Sequence, residues 1–306
     1  MRFEGVLPAI TTPFRDDGGV DHAALTAHVR FLLDAGCDAV IPLGSLGEGA
    51  TLSFDEKVAI LRTTVAAAGS APVVPGIGAS STQEAIALAR QAAAVGCRGL
   101  MVLPAYVHHG APGEAIAHVA AVLAASPLPC MLYNNPPAYG ADFTAPLVAD
   151  LAATHPNLAA VKESSGDARR VTALRARLGD RLTLCVGLDD MVLEGVAAGA
   201  TGWVAGLVNA LPHESVALFR LARRGDHAAA FALYRWFLPL LRLDTVPDFV
   251  QWIKLVQHEV GRGDERVRPP RLPLAGATRD EGLATIRAVL RERPDVATLR
   301  TAAVTS

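Results

Sequence analysis

Residues 158–167 read LAAVKESSGD, a short apolar run that passes through one lysine into a polar turn. The apolar part is too short for a helix and indicates a buried strand. Lys162 stands at its carboxyl end, where loss of solvation lowers the pKa of the amine and makes it a usable nucleophile. The alternative is a lysine whose stem is buried and whose ammonium reaches the surface.

Similar apolar runs recur along the chain, with helical patterns between them. Those expected to form strands cover residues 5–10, 39–43, 72–77, 99–103, 129–133, 158–162, 182–187 and 202–206. Strands that alternate with helices in this number predict a closed parallel barrel, the (β/α)8 TIM barrel of the α/β class. An open doubly wound sheet is the second candidate, but no GxGxxG motif follows the first run.

The strand pattern stops after about residue 225. Residues 226–243, 247–260 and 280–291 predict helices, separated by the proline-rich break at 268–273. We therefore expect a catalytic barrel over residues 1–225 and a C-terminal helical region over residues 226–306. Residues expected to cap helices are Asp21, Ser53, Ser81, Thr144, Asp167 and Asp189.

The charge and hydropathy of the sequence limit the kinds of partner that the protein is expected to bind. The net charge of -2 disfavours nucleic acid and anionic membrane as the main partner. No apolar run is long enough to span a membrane, and the first residues lack the apolar segment of a signal peptide, so we expect a cytoplasmic protein.

Cysteine and histidine patterns give no sign of a metal site. Two adjacent histidines cannot easily face one metal, and no CxxC pair occurs, so we expect no metal and reduced, buried thiols. These residues are His108, His109, Cys37, Cys97, Cys130 and Cys185.

In a TIM barrel, the residues that follow the carboxyl ends of the strands form the active site. The second run is followed by GSLGE at residues 44–48, a tight loop whose N–H groups can bind a carboxylate. Tyr106 follows the fourth run, YNNPPAYG at residues 133–140 follows the fifth, and Lys162 ends the sixth. The alternative for the loop is an ordinary strand-to-helix turn.

Three of these motifs together resemble the dihydrodipicolinate synthase/N-acetylneuraminate lyase superfamily in order and spacing, over residues 1–295. They are GSLGE at 44–48, Tyr133-Asn134-x-Pro136 and Lys162-Glu163. The resemblance implies a class I lyase on a (β/α)8 barrel with a helical C-terminal part, usually a homotetramer. It also implies that no cofactor is needed, because the lysine forms a covalent imine with a small keto acid or cyclic imine.

The resemblance assigns roles residue by residue. Lys162 matches the lysine that forms the Schiff base, and Tyr133 matches the tyrosine that shuttles protons. Ser45 matches the hydroxyl of that proton relay, and Tyr106 a second tyrosine that reaches a neighbouring subunit's site. Contacts to substrate are expected from Leu46, Gly47, Ala138, Tyr139, Gly187 and Trp203.

Two departures from the family pattern bear on the substrate. Leu46 stands where a second hydroxyl residue is common, so one side-chain hydrogen bond to the substrate carboxylate is lost. Ala138 stands where dihydrodipicolinate synthases place an arginine that grips the carboxylate of aspartate semialdehyde. Lysine biosynthesis is therefore disfavoured, although Arg169 or Arg170 could substitute from a predicted helix.

The GSLGE loop, Tyr139-Gly140 and residues 204–208 and 267–274 look like the branch of 1-pyrroline-4-hydroxy-2-carboxylate deaminases of bacterial hydroxyproline catabolism. The alternatives are a pyruvate-dependent aldolase, a 2-keto-3-deoxy-sugar-acid dehydratase and 4-hydroxy-tetrahydrodipicolinate synthase. A non-catalytic barrel that binds a small acid is the alternative of another class. A phosphate-binding isomerase is disfavoured, because no glycine-rich phosphate loop follows the seventh run.

Overall fold

The computed structural model of the chain describes residues 1–106, 108 and 110–295. Its centre is a parallel sheet whose regular strands pair in the order β1-β7-β6-β5-β4-β3-β2. The strands are Gly5–Pro8 (β1), Gly76–Ile77 (β2), Leu100–Val102 (β3), Cys130–Asn134 (β4), Leu158–Glu163 (β5), Thr183–Val186 (β6) and Gly202–Ala205 (β7). Nearly every residue in them is buried, as is typical of a parallel sheet covered by helices.

The predicted strand at residues 39–43 forms isolated bridges in place of a regular strand. The expectation of eight regular strands is therefore corrected to seven among the residues described. Prolines account for the interruption. Pro42 lies in this segment, Pro72 and Pro75 lie in the neighbouring one, and none of them has an N–H to donate to a ladder.

The same segment nevertheless bonds to both edge strands of the sheet. The N–H of Ile41 donates to the carbonyl of Pro8 in β1 at 2.7 Å, and the N–H of Gly76 in β2 donates to the carbonyl of Pro42 at 2.8 Å. Residues 39–43 thus connect the β1 edge to the β2 edge, and the architecture is a TIM-barrel-like α/β fold.

Helices cover the outside of the sheet between the strands. They are His22–Asp34 (α1), Phe54–Ala68 (α2), Thr82–Ala94 (α3), Pro112–Ala125 (α4), Pro136–Tyr139 (α5), Ala145–Thr154 (α6), Arg169–Leu178 (α7), Val192–Ala197 (α8) and Pro212–Arg223 (α9). Asp21, Ser53 and Ser81 cap their helices through their side chains as predicted, and Ser53 completes a capping box with Glu56. Thr144 precedes α6 without a side-chain cap bond.

The C-terminal region is helical, with His227–Leu241 (α10), Phe249–Glu259 (α11) and Gly276–Arg291 (α12). A short 3₁₀ turn, Arg242–Thr245, joins α10 to α11 and lies over the barrel. The boundary expected at residue 225 falls between α9 and α10, and the division into two units stays a prediction. Residues 296–306 of the predicted helical region, and His109, lie outside the described residues.

The state of the cysteines and the length of the helices agree with what the sequence predicts. All four cysteines are free and buried, as predicted, at Cys37, Cys97, Cys130 and Cys185. In the part of the chain that the structure describes, no helix combines the length and apolarity that a membrane span needs.

Candidate active site

A cavity of about 530 Å³ opens at the carboxyl ends of the strands. Lys162, near the end of β5, lines it and is 6% exposed. In the sheet register Lys162 lies between Tyr133 of β4 and Cys185 of β6. The Lys162 Nζ atom lies 4.0 Å from the centroid of the Tyr133 ring. The alternative that this lysine reaches the surface is therefore excluded.

Lys162 differs from the other two lysines in having no carboxylate partner at ion-pair distance among the residues that the structure describes. The sequence contains three lysines. Lys57 Nζ lies 3.5 Å from a carboxylate oxygen of Glu84, and Lys254 Nζ lies 2.6 Å from one of Glu48. Lys162 therefore combines burial with a side-chain amine that is outside any described ion pair and lines the cavity.

Burial lowers the pKa of Lys162 to about 8, because the ammonium loses its solvent. The negative charges of Asp244 and Asp189 act in the opposite direction and limit the shift. A substantial fraction of the amine is consequently neutral near pH 8, and the neutral amine is the form that attacks a carbonyl or an imine.

We expect the rate of imine formation at Lys162 to rise with pH and to level off above a midpoint near 8. The sign follows from the neutral amine being the nucleophile, and a fully solvated lysine would give a midpoint near 10.5. The measurement is the initial rate at which a pyruvate adduct, trapped by cyanoborohydride, is formed between about pH 6 and pH 10. A midpoint close to that of a solvated lysine would contradict the expectation.

Tyr133 is 6% exposed and keeps its proton. Burial raises the pKa of Tyr133 to about 12, and Asn135 opposes this by donating from Nδ2 to the phenol oxygen at 2.9 Å. The Asn135 Oδ1 atom accepts from the N–H of Ala138, which fixes the amide. A protonated, oriented phenol beside a reactive amine can donate a proton to a group that leaves the substrate.

Ser45 was expected to relay protons to Tyr133, and the structure places it beside Tyr139. The two hydroxyl groups share a hydrogen bond of 2.5 Å. The Tyr139 ring in turn meets the Tyr133 ring edge-to-face, with centroids 5.6 Å apart. Tyr139 thus contacts both Ser45 and Tyr133, through its hydroxyl group in the first case and through its ring in the second.

Tyr106 belongs to the same aromatic cluster, since its ring centroid lies 6.3 Å from that of Tyr139. It does not line the cavity. Its hydroxyl packs so closely on the backbone of Gly78 that a β-carbon there would lie 2.4 Å away. The expected reach of Tyr106 into a neighbouring subunit stays a prediction.

The loop at residues 44–48 can bind a carboxylate through its backbone. Ser45 and Leu46 line the cavity, and among the described residues their N–H groups have no hydrogen-bond acceptor. Gly47 lies behind them, where a β-carbon would come within 2.9 Å of the carbonyl of Ile10. Exposed N–H groups in a tight turn suit an anion.

The remaining expected contacts are divided between the cavity wall and the protein interior. Ala138 and Gly187 line the cavity. A β-carbon at Gly187 would lie 2.6 Å from Cε of Lys162, so a glycine is needed to make room for the lysine. Trp203, expected in contact with substrate, is fully buried and donates from Nε1 to Asp189 at 2.9 Å.

Asp189 was expected to cap a helix and instead holds the loop after β7. Its carboxylate accepts from the N–H of Gly206 at 3.1 Å and from that of Leu207 at 2.7 Å, besides Trp203. Burial raises the pKa of Asp189 to about 6 in spite of these donors. Asp244, which sequence reasoning missed, lines the cavity from the 3₁₀ turn.

A buried ion pair fixes the far end of the 44–48 loop. Glu48 has a positive φ of 55°, and its carboxylate accepts from Lys254 Nζ and, at 2.9 Å, from the N–H of Arg268. Lys254 also donates to the carbonyls of Thr12 and Arg266. The C-terminal region thus holds the loop that carries Ser45.

The histidines are placed away from the cavity as far as the structure describes them. His108 Nε2 lies 2.8 Å from a carboxylate oxygen of Glu114 on the surface. Within the described residues, no three histidine, cysteine or acidic side chains are grouped as a metal site would require.

The sequence matches the family model described as Dihydrodipicolinate synthetase family over residues 2–289. A 4-hydroxy-tetrahydrodipicolinate synthase of Sorangium cellulosum is 36% identical over 283 residues, covering 92% of this chain and 94% of that protein. A solved 4-hydroxy-tetrahydrodipicolinate synthase of Methylacidiphilum fumariolicum has a TM-score of 0.92 at 28% identity, covering 98% of this chain and 99% of that one. YagE of Escherichia coli K12, solved with pyruvate, has a TM-score of 0.87 at 28% identity, covering 95% of this chain and 98% of that one.

Proposed function

Because the chain belongs to the dihydrodipicolinate synthetase family of Schiff-base lyases, we propose that it deaminates 1-pyrroline-4-hydroxy-2-carboxylate through an imine on Lys162. The observation that carries the proposal is the open amine of Lys162 beside Tyr133, in a cavity whose wall has Ala138 where a carboxylate-gripping arginine is expected. A cyclic imine with a single carboxylate suits such a cavity.

The arginines that could have replaced the missing one are engaged elsewhere. Arg169 forms an ion pair with Asp167 at 2.7 Å and is largely exposed. Arg170 forms an ion pair with Asp142 at 2.5 Å. Among the described residues that line the cavity there is no arginine. A second carboxylate, such as that of aspartate semialdehyde, would therefore have no guanidinium among the described residues of the cavity to bind it.

The proposed reaction begins with a carbon that is already bonded to nitrogen through a double bond. Lys162 Nζ attacks C2 of the ring, the ring C2–N bond breaks, and the ring nitrogen leaves as a free amine on C5. The new imine draws electrons from C3, which loses a proton while the 4-hydroxyl leaves as water. The C5 amine becomes an imine by tautomerisation.

Two hydrolyses complete the reaction. Water releases ammonia from C5, and a second water frees Lys162 from C2, giving 2-oxoglutarate semialdehyde. One water is lost and two are consumed, so the net reaction is substrate plus water to product plus ammonia. In this proposal Tyr133 protonates the departing hydroxyl, and Ser45 with Tyr139 helps to replace that proton. The hydrogen bond between Ser45 and Tyr139 and the contact between the Tyr139 and Tyr133 rings support these roles.

The second candidate is 4-hydroxy-tetrahydrodipicolinate synthase, which is favoured by the names of the relatives reported above. It forms the same imine, but with pyruvate. A pyruvate-dependent aldolase or a 2-keto-3-deoxy-sugar-acid dehydratase would also use Lys162 and Tyr133. A barrel that only binds a small acid would not need a buried amine, a phenol and a hydroxyl in one cavity. Cytoplasmic location and a homotetramer remain expectations.

The test compares two reactions of the same purified enzyme. We expect ammonia release from 1-pyrroline-4-hydroxy-2-carboxylate, matched mole for mole by 2-oxoglutarate semialdehyde. We expect condensation of pyruvate with aspartate semialdehyde to have a kcat/KM at least about 100-fold lower. Folded enzyme that releases no ammonia, or that condenses aspartate semialdehyde efficiently, would overturn the deaminase assignment and favour the second candidate.

A further inference from the structure

Asp244 brings a carboxylate from the C-terminal region into the cavity. It belongs to the 3₁₀ turn Arg242–Thr245 and packs on the backbone that follows β7. A β-carbon at Gly206 would lie 2.1 Å from Asp244 Oδ1, so the glycine lets the carboxylate approach. The backbone N–H of Asp189, on the neighbouring loop, favours the charged form of the same carboxyl and so opposes part of the rise in its pKa. The close approach at Gly206 therefore brings the carboxylate of Asp244 to the rim of the barrel.

The cavity contains few charged side chains, and they have opposite signs. Among the described residues that line it, Lys162 and Asp244 carry the only ionisable acidic or basic side chains. They interact electrostatically, but no ion pair within 4.0 Å joins them. Along the sheet, Asp244 lies on the β7 side of Lys162 and Tyr133 lies on the β4 side. A substrate held on Lys162 therefore has a phenol on one side and a carboxylate on the other.

An acidic side chain in this position is costly unless it has a partner. Burial and the nearby Asp189 raise the pKa of Asp244 well above its ordinary value, while Lys162 lowers it. Once Lys162 becomes a neutral amine or an imine in turnover, its positive charge no longer stabilises the negative charge of Asp244 as strongly. A cation supplied by the substrate would restore that stabilisation.

We propose that Asp244 binds the amine that is freed from C2 when Lys162 opens the cyclic imine, and that it rejects compounds with a carboxylate at that end. The inference rests on the proposed function, in which ring opening leaves a basic amine on the three-carbon arm beyond C2. An ammonium beside Asp244 gains an opposite charge in a poorly solvated site. A carboxylate there meets a like charge and no arginine.

The experiment measures imine trapping, which needs no deamination. Two probes lack the 4-hydroxyl: 1-pyrroline-2-carboxylate, whose opening frees an amine, and 2-oxoglutarate, which ends in a carboxylate. Adducts formed with cyanoborohydride are quantified by intact-protein mass spectrometry for the wild type and for Asp244→Asn. Any effect of Asp244 on the basicity of Lys162 alters both rates alike, so the ratio of the two rates reports the contact at the far end.

We expect the wild type to favour the pyrroline, and Asp244→Asn to reduce the ratio at least about tenfold. Asp190→Asn is the matched control, because Asp190 is an acidic neighbour that does not line the cavity, and it should keep the wild-type ratio. An unchanged ratio in Asp244→Asn would overturn the inference. So would a wild type that traps both probes equally, a result that requires no variant to fold.

The two proposals fail separately in this design. The wild type could favour the pyrroline through Asp244 and yet release no ammonia from the hydroxylated substrate. That result would contradict the deaminase assignment and support the role of Asp244. Ammonia release combined with a trapping ratio that does not depend on Asp244 would support the deaminase assignment and contradict the role of Asp244.

Discussion

Lys162→Ala will lower ammonia release by about 10⁴-fold or more and will abolish the trapped adduct. The methyl group of alanine cannot form an imine, and the remaining lysines are buried in ion pairs with Glu48 and Glu84. Steady-state ammonia assays and intact-protein mass spectrometry with pyruvate and cyanoborohydride measure the two losses. Peptide mapping of the wild type should place the adduct on Lys162.

Lys162→Arg is the matched control, since it keeps the positive charge and much of the volume without a nucleophilic amine. It should be as inactive as Lys162→Ala if the imine is what matters. Activity retained in the arginine variant would mean that the charge of the residue, and not its amine, supports the reaction. An adduct that persists in both variants would locate the imine on another amine.

Glu48→Ala will destabilise the fold by about 3–5 kcal/mol, because it leaves the Lys254 ammonium buried without a counter-ion. Glu48 is fully buried and Lys254 is 2% exposed, and their nitrogen–oxygen distance is 2.6 Å. Urea unfolding at one fixed protein concentration measures the free energy. A loss below about 1 kcal/mol would show that the pair is dispensable.

Two controls isolate the buried charge. Glu84→Ala breaks the other lysine–glutamate pair, in which the carboxylate is 40% exposed, and should cost no more than about 1 kcal/mol. Replacing both members of the buried pair, as Glu48→Leu with Lys254→Met, should recover part of the stability lost in Glu48→Ala, because neither charge is then stranded. Catalysis should still suffer in the double variant, since Glu48 ends the loop that carries Ser45.

Local patterns were enough to predict most of the fold and the position of Lys162 at the end of a buried strand. Seven of the apolar runs became strands, and Lys162 and Tyr133 meet because their strands are neighbours in register. The strand at residues 39–43 was over-predicted, although the prolines that interrupt it are visible in the sequence. A hydropathy pattern indicates which residues are buried, but it does not show where a proline lacks the N–H that strand pairing needs.

Contacts between distant parts of the chain could not be predicted in the same way. Ser45 and Tyr139 are 94 positions apart, and their hydrogen bond depends on how two loops meet above the barrel. Asp189 looked like a helix cap because capping is a local pattern, whereas its actual donors come from the next strand and loop. Asp244 lies in a turn of the C-terminal region, whose position over the barrel is set by tertiary packing.

The burial of every lysine has a practical consequence for handling the protein. Lys57, Lys162 and Lys254 are 4%, 6% and 2% exposed. Arginine therefore supplies nearly all of the cationic side chains on the described surface. A small reagent that acylates amines should reach Lys162 through the cavity before it reaches Lys57 or Lys254, which are held in ion pairs. Amine coupling to a sensor surface or a resin would therefore attach few molecules, and amine labelling would report on the cavity instead.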